Sequence, residues 1–219
     1  MWYRVRKELR GAGEIRLLPV LADQSRDAID ASANKGVYTR LIARFARHTF
    51  AFEPNPKMFR LLRRNLRDRC TASPIGSDWA RSPPRPARQQ GPIEPGCVVE
   101  RSQSLGKLHG RRGANGENRR SRLGGHRFIK IDVEGFESAV LRGARQTIAR
   151  DRPTIFVEIE EQHTKRPIEQ SLREVLALGY RGLFLFGGVL RSLSVFDAVR
   201  HHRASDGEYV FNFVFLPEA

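Results

Sequence analysis

Carboxylates gather at three places in the chain where an apolar run stops. "DAIDASANKG" ends its run at Asp30 and turns through Gly36, "TFAFEPNP" closes on Glu53, and "FIKIDVEGFE" sets Asp132, Glu134 and Glu137 around Gly135. Acids at the exits of buried strands suit recognition of a cation or of paired hydroxyls, because a carboxylate accepts hydrogen bonds at both oxygens. They also suit proton transfer at an acceptor group. An acid closing the second strand, at about the 20-residue interval from the first, sits where α/β nucleotide folds bind a ribose. Asn55 and Pro56 follow Glu53 directly, so a turn or helix-cap role competes with that reading. Glu137 likewise suits the first turn of a helix, where the dipole favours an acid. "RPTIFVEIE" adds Glu158 and Glu160 at alternate positions of one strand, both able to line an acceptor pocket. His163 reads as a loop residue, and His201 and His202 have no metal-ligand partners in the sequence.

The elements that must position these acids alternate between two periods. "DAID", "TFAF", "FIKID" and "RPTIFVEIE" are β-like runs, and each is followed by a helical pattern. Val37, Leu41, Ile42 and Phe45 fall at helical spacing after the first. Met58, Leu62 and Leu66 form one stripe after the second, with Arg60, Arg63, Arg64 and Arg67 around the rest, which predicts a half-buried amphipathic helix. Val140, Ala144 and Ile148 continue the third unit, and Ile168, Leu172, Val175 and Leu176 predict a further helix ended by Gly179. Gly187 and Gly188 between two apolar runs predict a two-residue hairpin, and "YVFNFVFLP" a final buried strand. Strand–helix units followed by a hairpin imply a mostly parallel α/β sheet with an antiparallel C-terminal edge. Where such a strand, a tight turn and a helix meet, as at Asp30 and Gly36, ligands bind beyond the carboxyl ends of the strands.

Residues 79–124 break this rhythm. They are rich in Pro, Gly and Arg, show neither period, and make an insert much longer than an ordinary connection. A lid-like or disordered loop is one reading and a stretch translated out of frame is the other. The abrupt stop and restart of the pattern favours the second. If the stretch stands as written, the sheet is expected to lack an edge strand.

Taken together, "DASANKGVYT", "FEPNP" and "FIKIDVEGFESAVLRGA", in this order and at these intervals, closely resemble the FkbM-type S-adenosylmethionine-dependent methyltransferases. The resemblance covers residues 27–77 and 128–219, including "EIEEQH", the Gly-Gly hairpin and "NFVFLP". It implies a class I, Rossmann-like methyltransferase domain spanning the chain, built on a seven-stranded sheet with one antiparallel strand. It implies S-adenosylmethionine as cofactor, with Asp30, Ser32, Ala33, Asn34, Gly36 and Tyr38 on its methionine side. Glu53 would then clamp the ribose, Pro54 and Asn55 would flank the adenine, and Ser77 and Asp78 would end the third strand. Asp132 would orient the amino end of the cofactor and Glu134 would sit nearer the acceptor. The implied reaction is methylation of a hydroxyl on a small molecule or sugar. The family has glycine at position 32, where this chain has serine, and a Cβ there threatens the turn or the cofactor. An impaired family member is therefore the alternative.

Composition bounds the rest. With 39 Lys+Arg against 24 Asp+Glu over 219 residues the net charge is +15, which suits phosphates or another acidic surface. The bases are spread along the chain without interleaved aromatics, so they read as a solvated surface, and a nucleic-acid methyltransferase is the weakest of the three functions. Two cysteines without a zinc-type spacing argue against a disulfide framework or a metal site. No apolar run approaches the roughly 20 residues of a membrane span, and the N-terminus lacks a signal-peptide pattern. A cytoplasmic protein is the expectation.

Overall fold

The protein is described here from a computed structural model covering residues 13–66, 125–205 and 208–218, with 96–100 as backbone. Among the described residues eight strands form one sheet: β1 (Asp27–Ala31), β2 (His48–Phe52), β3 (Gly96–Glu100), β4 (His126–Ile131), β5 (Thr154–Glu158), β6 (Tyr180–Phe186), β7 (Val189–Ser192) and β8 (Asn212–Pro217). Their order is β3-β2-β1-β4-β5-β8-β6-β7. β3, β2, β1, β4 and β5 pair in parallel, whereas β8 runs antiparallel between β5 and β6, and β7 antiparallel along the outer side of β6. The expected seven-stranded sheet with one antiparallel strand is thus extended by one. The added strand is the second arm of the hairpin, whose turn residues Gly187 (φ 60°) and Gly188 (φ 71°) both take the left-handed backbone that such a tight turn needs.

A second difference concerns the irregular stretch. "GCVVE" pairs residue for residue with β2, from His48↔Gly96 to Phe52↔Glu100, so the sheet does have its edge strand. A five-residue strand between Pro/Gly-rich flanks is too short to show a period, but a parallel ladder along β2 supplies the backbone partners it needs. Ser77, Asp78 and the rest of that stretch lie outside the described residues.

Helices cover both faces. α1 (Leu18–Leu21) and α2 (Val37–Ile42) lie on one side, where Leu18, Leu21, Ile42 and Ala46 pack on Ala28, Phe128, Phe156 and Val214. α3 (Pro56–Asn65) lays Leu62, with Leu66 just beyond it, against Ala33 and Ala51. α4 (Glu137–Gly143), α5 (Arg145–Asp151) and α7 (Ile168–Leu176) close the opposite face over Ile29, Ile129, Ile131, Ile155 and Val157. Two shorter helices, α6 (Glu161–Thr164) and α8 (Ala198–His201), belong to the loops. β1 is buried at every position, the pattern of a strand covered on both faces. Each such Leu, Ile or Phe side chain contributes about 1.5–3 kcal/mol on leaving water. The single helix expected across Val140, Ala144 and Ile148 is instead two, joined at Ala144, yet all three residues remain in the core. No helix among the described residues is long and apolar enough to cross a membrane.

Candidate active site

Parallel strands with helices on both faces leave their carboxyl ends as the open edge of the sheet. Asp30, Glu53, Asp132 and Glu158 all stand there, on β1, after β2, after β4 and at the end of β5. The structure treats them differently.

Glu53 is 3% exposed, and both of its oxygens accept from backbone: Oε2 from the Asn34 amide and Oε1 from the Asn55 amide, each at 2.7 Å. It therefore ties the loop after β1 to the loop after β2. Asn55 caps α3 with its own side chain, accepting from the Lys57 amide at 2.9 Å and the Met58 amide at 3.3 Å. The helix-cap need is met without Glu53. Pro54 and Asn55 are exposed beside it.

The loop from Ser32 to Gly36 is compact and strained. The Ala33 amide donates to the Phe52 carbonyl at 2.9 Å and the Gly36 amide to the Ala33 carbonyl at 2.8 Å. Ser32 (φ 63°), Asn34 (φ 50°) and Gly36 (φ 86°) all adopt left-handed backbone. Glycine is required at 36, where a Cβ would meet Leu62 Cδ1 at 2.7 Å. At 32 the serine pays for a conformation that a glycine would take freely. Ala33 is buried and Asn34 exposed.

Asp30 is fully buried. Its Oδ2 accepts from Thr39 Oγ1 at 2.6 Å, while Oδ1 has no hydrogen-bond partner. The group nearest that oxygen is Lys130 Nζ at 3.6 Å. Lys130, itself only 3% exposed, donates to Asp132 Oδ2 at 3.0 Å and lies 4.7 Å over the ring of Tyr38. Burial alone would lower the Lys130 ammonium. The Asp30 and Asp132 carboxylates outweigh that and hold its pKa above the ordinary value. Tyr38 is half-buried against Phe156, and burial, reinforced by Glu14 and Asp132, raises its phenol. Asp132 is the member of this group that opens outward, with its side chain 32% exposed.

One register step beyond Ile131↔Val157, Glu158 comes level with Asp132 on the same face of the sheet. Burial first, then the charges of Asp132 and Glu160, push the Glu158 carboxyl up to about 7. Glu134 is exposed at φ 47°, and Gly135 follows at φ 101°. A Cβ on Gly135 would meet the His163 carbonyl at 2.6 Å, so this glycine lets the loop after β4 touch the loop after β5. Glu137 is buried and accepts the Gly135 amide at 2.9 Å, in keeping with its reading as a helix-start residue. Glu160 holds the side-chain amide of Gln162. His163 is exposed. His202 is buried, its Nδ1 at 2.7 Å from the Val210 carbonyl, and stacks on Tyr209. His201 lies among Phe184, Phe186 and Phe196.

Lys130 went unassigned in the sequence. Its signal was present: a cation inside the apolar run 128–131, two residues before an acid on the same face. Thr39 and Glu14 carried no such mark. No group of three or more His, Cys, Asp or Glu among the described residues is placed to hold a metal ion.

Residues 118–193 match the methyltransferase FkbM domain. The described residues have the fold of the class I methyltransferases, as three solved structures illustrate. Against an rRNA methylase from Streptococcus thermophilus the TM-score is 0.53 at 12% identity, over 94% of this chain and 95% of that one. A methyltransferase FkbM from Methylobacillus flagellatus gives 0.51 at 16% identity, covering 88% of this chain and 44% of that one. The chain thus spans less than half the length of that methyltransferase. A Streptococcus mutans methyltransferase structure, crystallised in complex with SAH, gives 0.52 at 9% identity over 93% and 95%. No curated protein matches the chain in sequence. The FkbM match runs through β4, β5, β6 and β7, and so includes Lys130, Asp132, Glu134 and Glu158.

Proposed function

We propose that this FkbM-type chain transfers the methyl group of S-adenosylmethionine to a hydroxyl of a small molecule or sugar. The observation that carries the reading is the pair of carboxylates at the ends of the two strands that flank β1, Glu53 after β2 and Asp132 after β4, held ready by other groups of the chain. The residues fit the cofactor's chemistry. Glu53 has one amide on each oxygen, which leaves a lone pair on each for the two ribose hydroxyls. Asp132, paired with Lys130 and still open to solvent, suits the α-amino group. Pro54 and Asn55 stand exposed beside Glu53, toward where an adenine would lie. Ser32, Ala33, Asn34 and Gly36 form the turn that approaches the methionine side, with Tyr38 and Asp30 behind it.

The cofactor supplies an activated methyl on a sulfonium. The chain's residues position the reactants, the term that dominates in-line displacements. Glu158, level with Asp132 and titrating near neutrality, is suited to take the acceptor proton as the oxygen gains the methyl, and Glu134 stands further out on the acceptor side. The carboxylates of Asp132, Glu134, Glu158 and Glu160 disfavour a polyphosphate in that position and favour a neutral or cationic acceptor.

A second reading has its own support. Lys57, Arg60, Arg63 and Arg64 are exposed on α3, beside the Glu53 end of the site, and one similar structure is an rRNA methylase. Titration calorimetry with S-adenosylhomocysteine tests the cofactor. Binding that is lost in Glu53→Ala supports it, and no heat with folded wild-type protein points to the impaired family member suggested by Ser32. Radiolabelled methyl transfer from a cell extract then tests the acceptor. Label in the small-molecule fraction supports the hydroxyl reading, and label in RNA replaces it.

A further inference from the structure

Between Asp30 and Asp132 the structure contains one cation, and it is inside the sheet. Lys130 is 3% exposed on a strand whose neighbours Phe128, Ile129 and Ile131 are fully buried. An ammonium in such a place costs several kcal/mol unless charged partners surround it. They do: Asp132 lies on its own strand at 3.0 Å, and Asp30 on β1 at 3.6 Å. Tyr38 on α2 presents its ring at 4.7 Å, and Glu158 on β5 adds a further negative charge. Glu14, before α1, faces the same quarter through Tyr38. Asp30 is sealed from solvent, so the Thr39 hydroxyl and Lys130 are the groups this carboxylate addresses.

We propose that Lys130 is a positioning residue for the Asp132 carboxylate, and that Asp30 acts as its buried anchor and does not touch the cofactor. The order of contact is Asp30, Lys130, Asp132, from the interior to the crevice. Lys130 donates to Oδ2 of Asp132, which fixes the rotamer of that carboxylate and leaves Oδ1 to face the crevice. The same cation offsets the like charge with which Glu158 and Glu160 crowd this end of the sheet. Without a second carboxylate beneath it, Lys130 would gain by deprotonating or turning away, and Asp30 removes that option. This deepens the cofactor reading above and rests on it for the identity of the cation that Asp132 meets.

The test has one arm without ligand and one with it. Carboxyl carbon NMR titration follows Asp132 and Glu158 in wild type, in Lys130→Arg, and in the double variant Asp30→Asn/Lys130→Met, which removes both buried charges and so avoids stranding one. The double variant is expected to raise the Asp132 midpoint by at least one pH unit, and Lys130→Arg to restore most of it. An Asp132 midpoint that does not move in the double variant overturns the proposal. In the second arm, S-adenosylhomocysteine is titrated into wild type and Asp30→Asn. A loss of affinity of tenfold or more in folded Asp30→Asn is the expected result. Wild-type affinity in Asp30→Asn overturns the anchor role. If wild type itself binds no S-adenosylhomocysteine, the cofactor reading fails and the NMR arm alone decides the role of Lys130.

Discussion

The two ends of the same sheet handle buried carboxylates in opposite ways. At the amino end of β1, Asp27 is 2% exposed and both of its oxygens are satisfied: Oδ1 and Oδ2 accept from Arg47 Nε and Nη2 at 3.0 Å each, and His48 Nδ1 lies 3.0 Å from Oδ1. Asp151 at that end is gripped by Arg150, by the His126 ring and by the His126 amide. At the carboxyl end, three residues along the same strand, Asp30 has an oxygen with no hydrogen bond and shares one lysine with Asp132. Glu158 beside them gains only part of a counter-charge. Satisfied groups stabilise a fold, whereas groups left short of partners hold interaction capacity for something else. The lower end of the sheet is built for stability, and the proposed function assigns binding to the upper end.

The most direct way to break this contrast is Asp27→Ala, which removes both carboxylate contacts of the Arg47 guanidinium. Breaking a buried pair from one side costs about 3–5 kcal/mol. Denaturant unfolding is expected to show a loss toward the low end of that range, since Arg47 keeps some solvent contact, with S-adenosylhomocysteine affinity unchanged. Gly135→Ala comes next. The left-handed φ and the 2.6 Å approach to the His163 carbonyl predict a loss of about 2 kcal/mol, together with separation of the loops after β4 and β5. A thermal melt reads the first effect and cofactor calorimetry the second. Ser32→Gly should go the other way, gaining about 1 kcal/mol by relieving left-handed strain, less what the freer unfolded chain takes back. An unchanged midpoint there would mean that the serine is not strained.

The finest distinction is in pH. Asp151 is held below its ordinary value of 3.8: burial would raise it, but hydrogen bonds from Arg150 and His126 win. Its contribution is present above about 3.8 and is lost as pH falls. Glu158 is raised from 4.5 to about 7, so its contribution is present below 4.5 and is lost as pH rises through 7. The two ends of the sheet therefore bend the stability profile in opposite directions. Glu158→Gln should flatten the neutral limb and leave the acid limb, and Asp151→Asn should do the reverse. A pair of chevron or melt series across pH 3–8 checks both.

Much of the fold could be read from periodicity. The strands around Asp30, Glu53, Asp132 and Glu158, the stripe of Leu62 and Leu66, the cap at Gly179 and the turn at Gly187 and Gly188 are local patterns, and the structure follows them. β3 escaped because five residues between Pro- and Gly-rich flanks carry no period, and their strand state comes from β2 alongside. The break at Ala144 escaped because both short helices keep the same apolar face. The candidate site was half legible. Asp30 stands on the expected strand but is sealed behind Thr39 and Lys130, since a residue's distance from a strand end does not say whether neighbouring strands cover it. Lys130 was visible as an oddity, and its meaning needed β1 and β5 in register beside β4.

From its sequence alone this chain declares parallel strand–helix units, acids at their exits and an FkbM-like order of motifs, because each of these is a matter of residue type and spacing along one segment. Only the tertiary structure decides which acids meet water and which meet one another. Charge and solvation depend on separations of a few ångströms between strands far apart in the chain, and those distances exist only once the sheet has assembled.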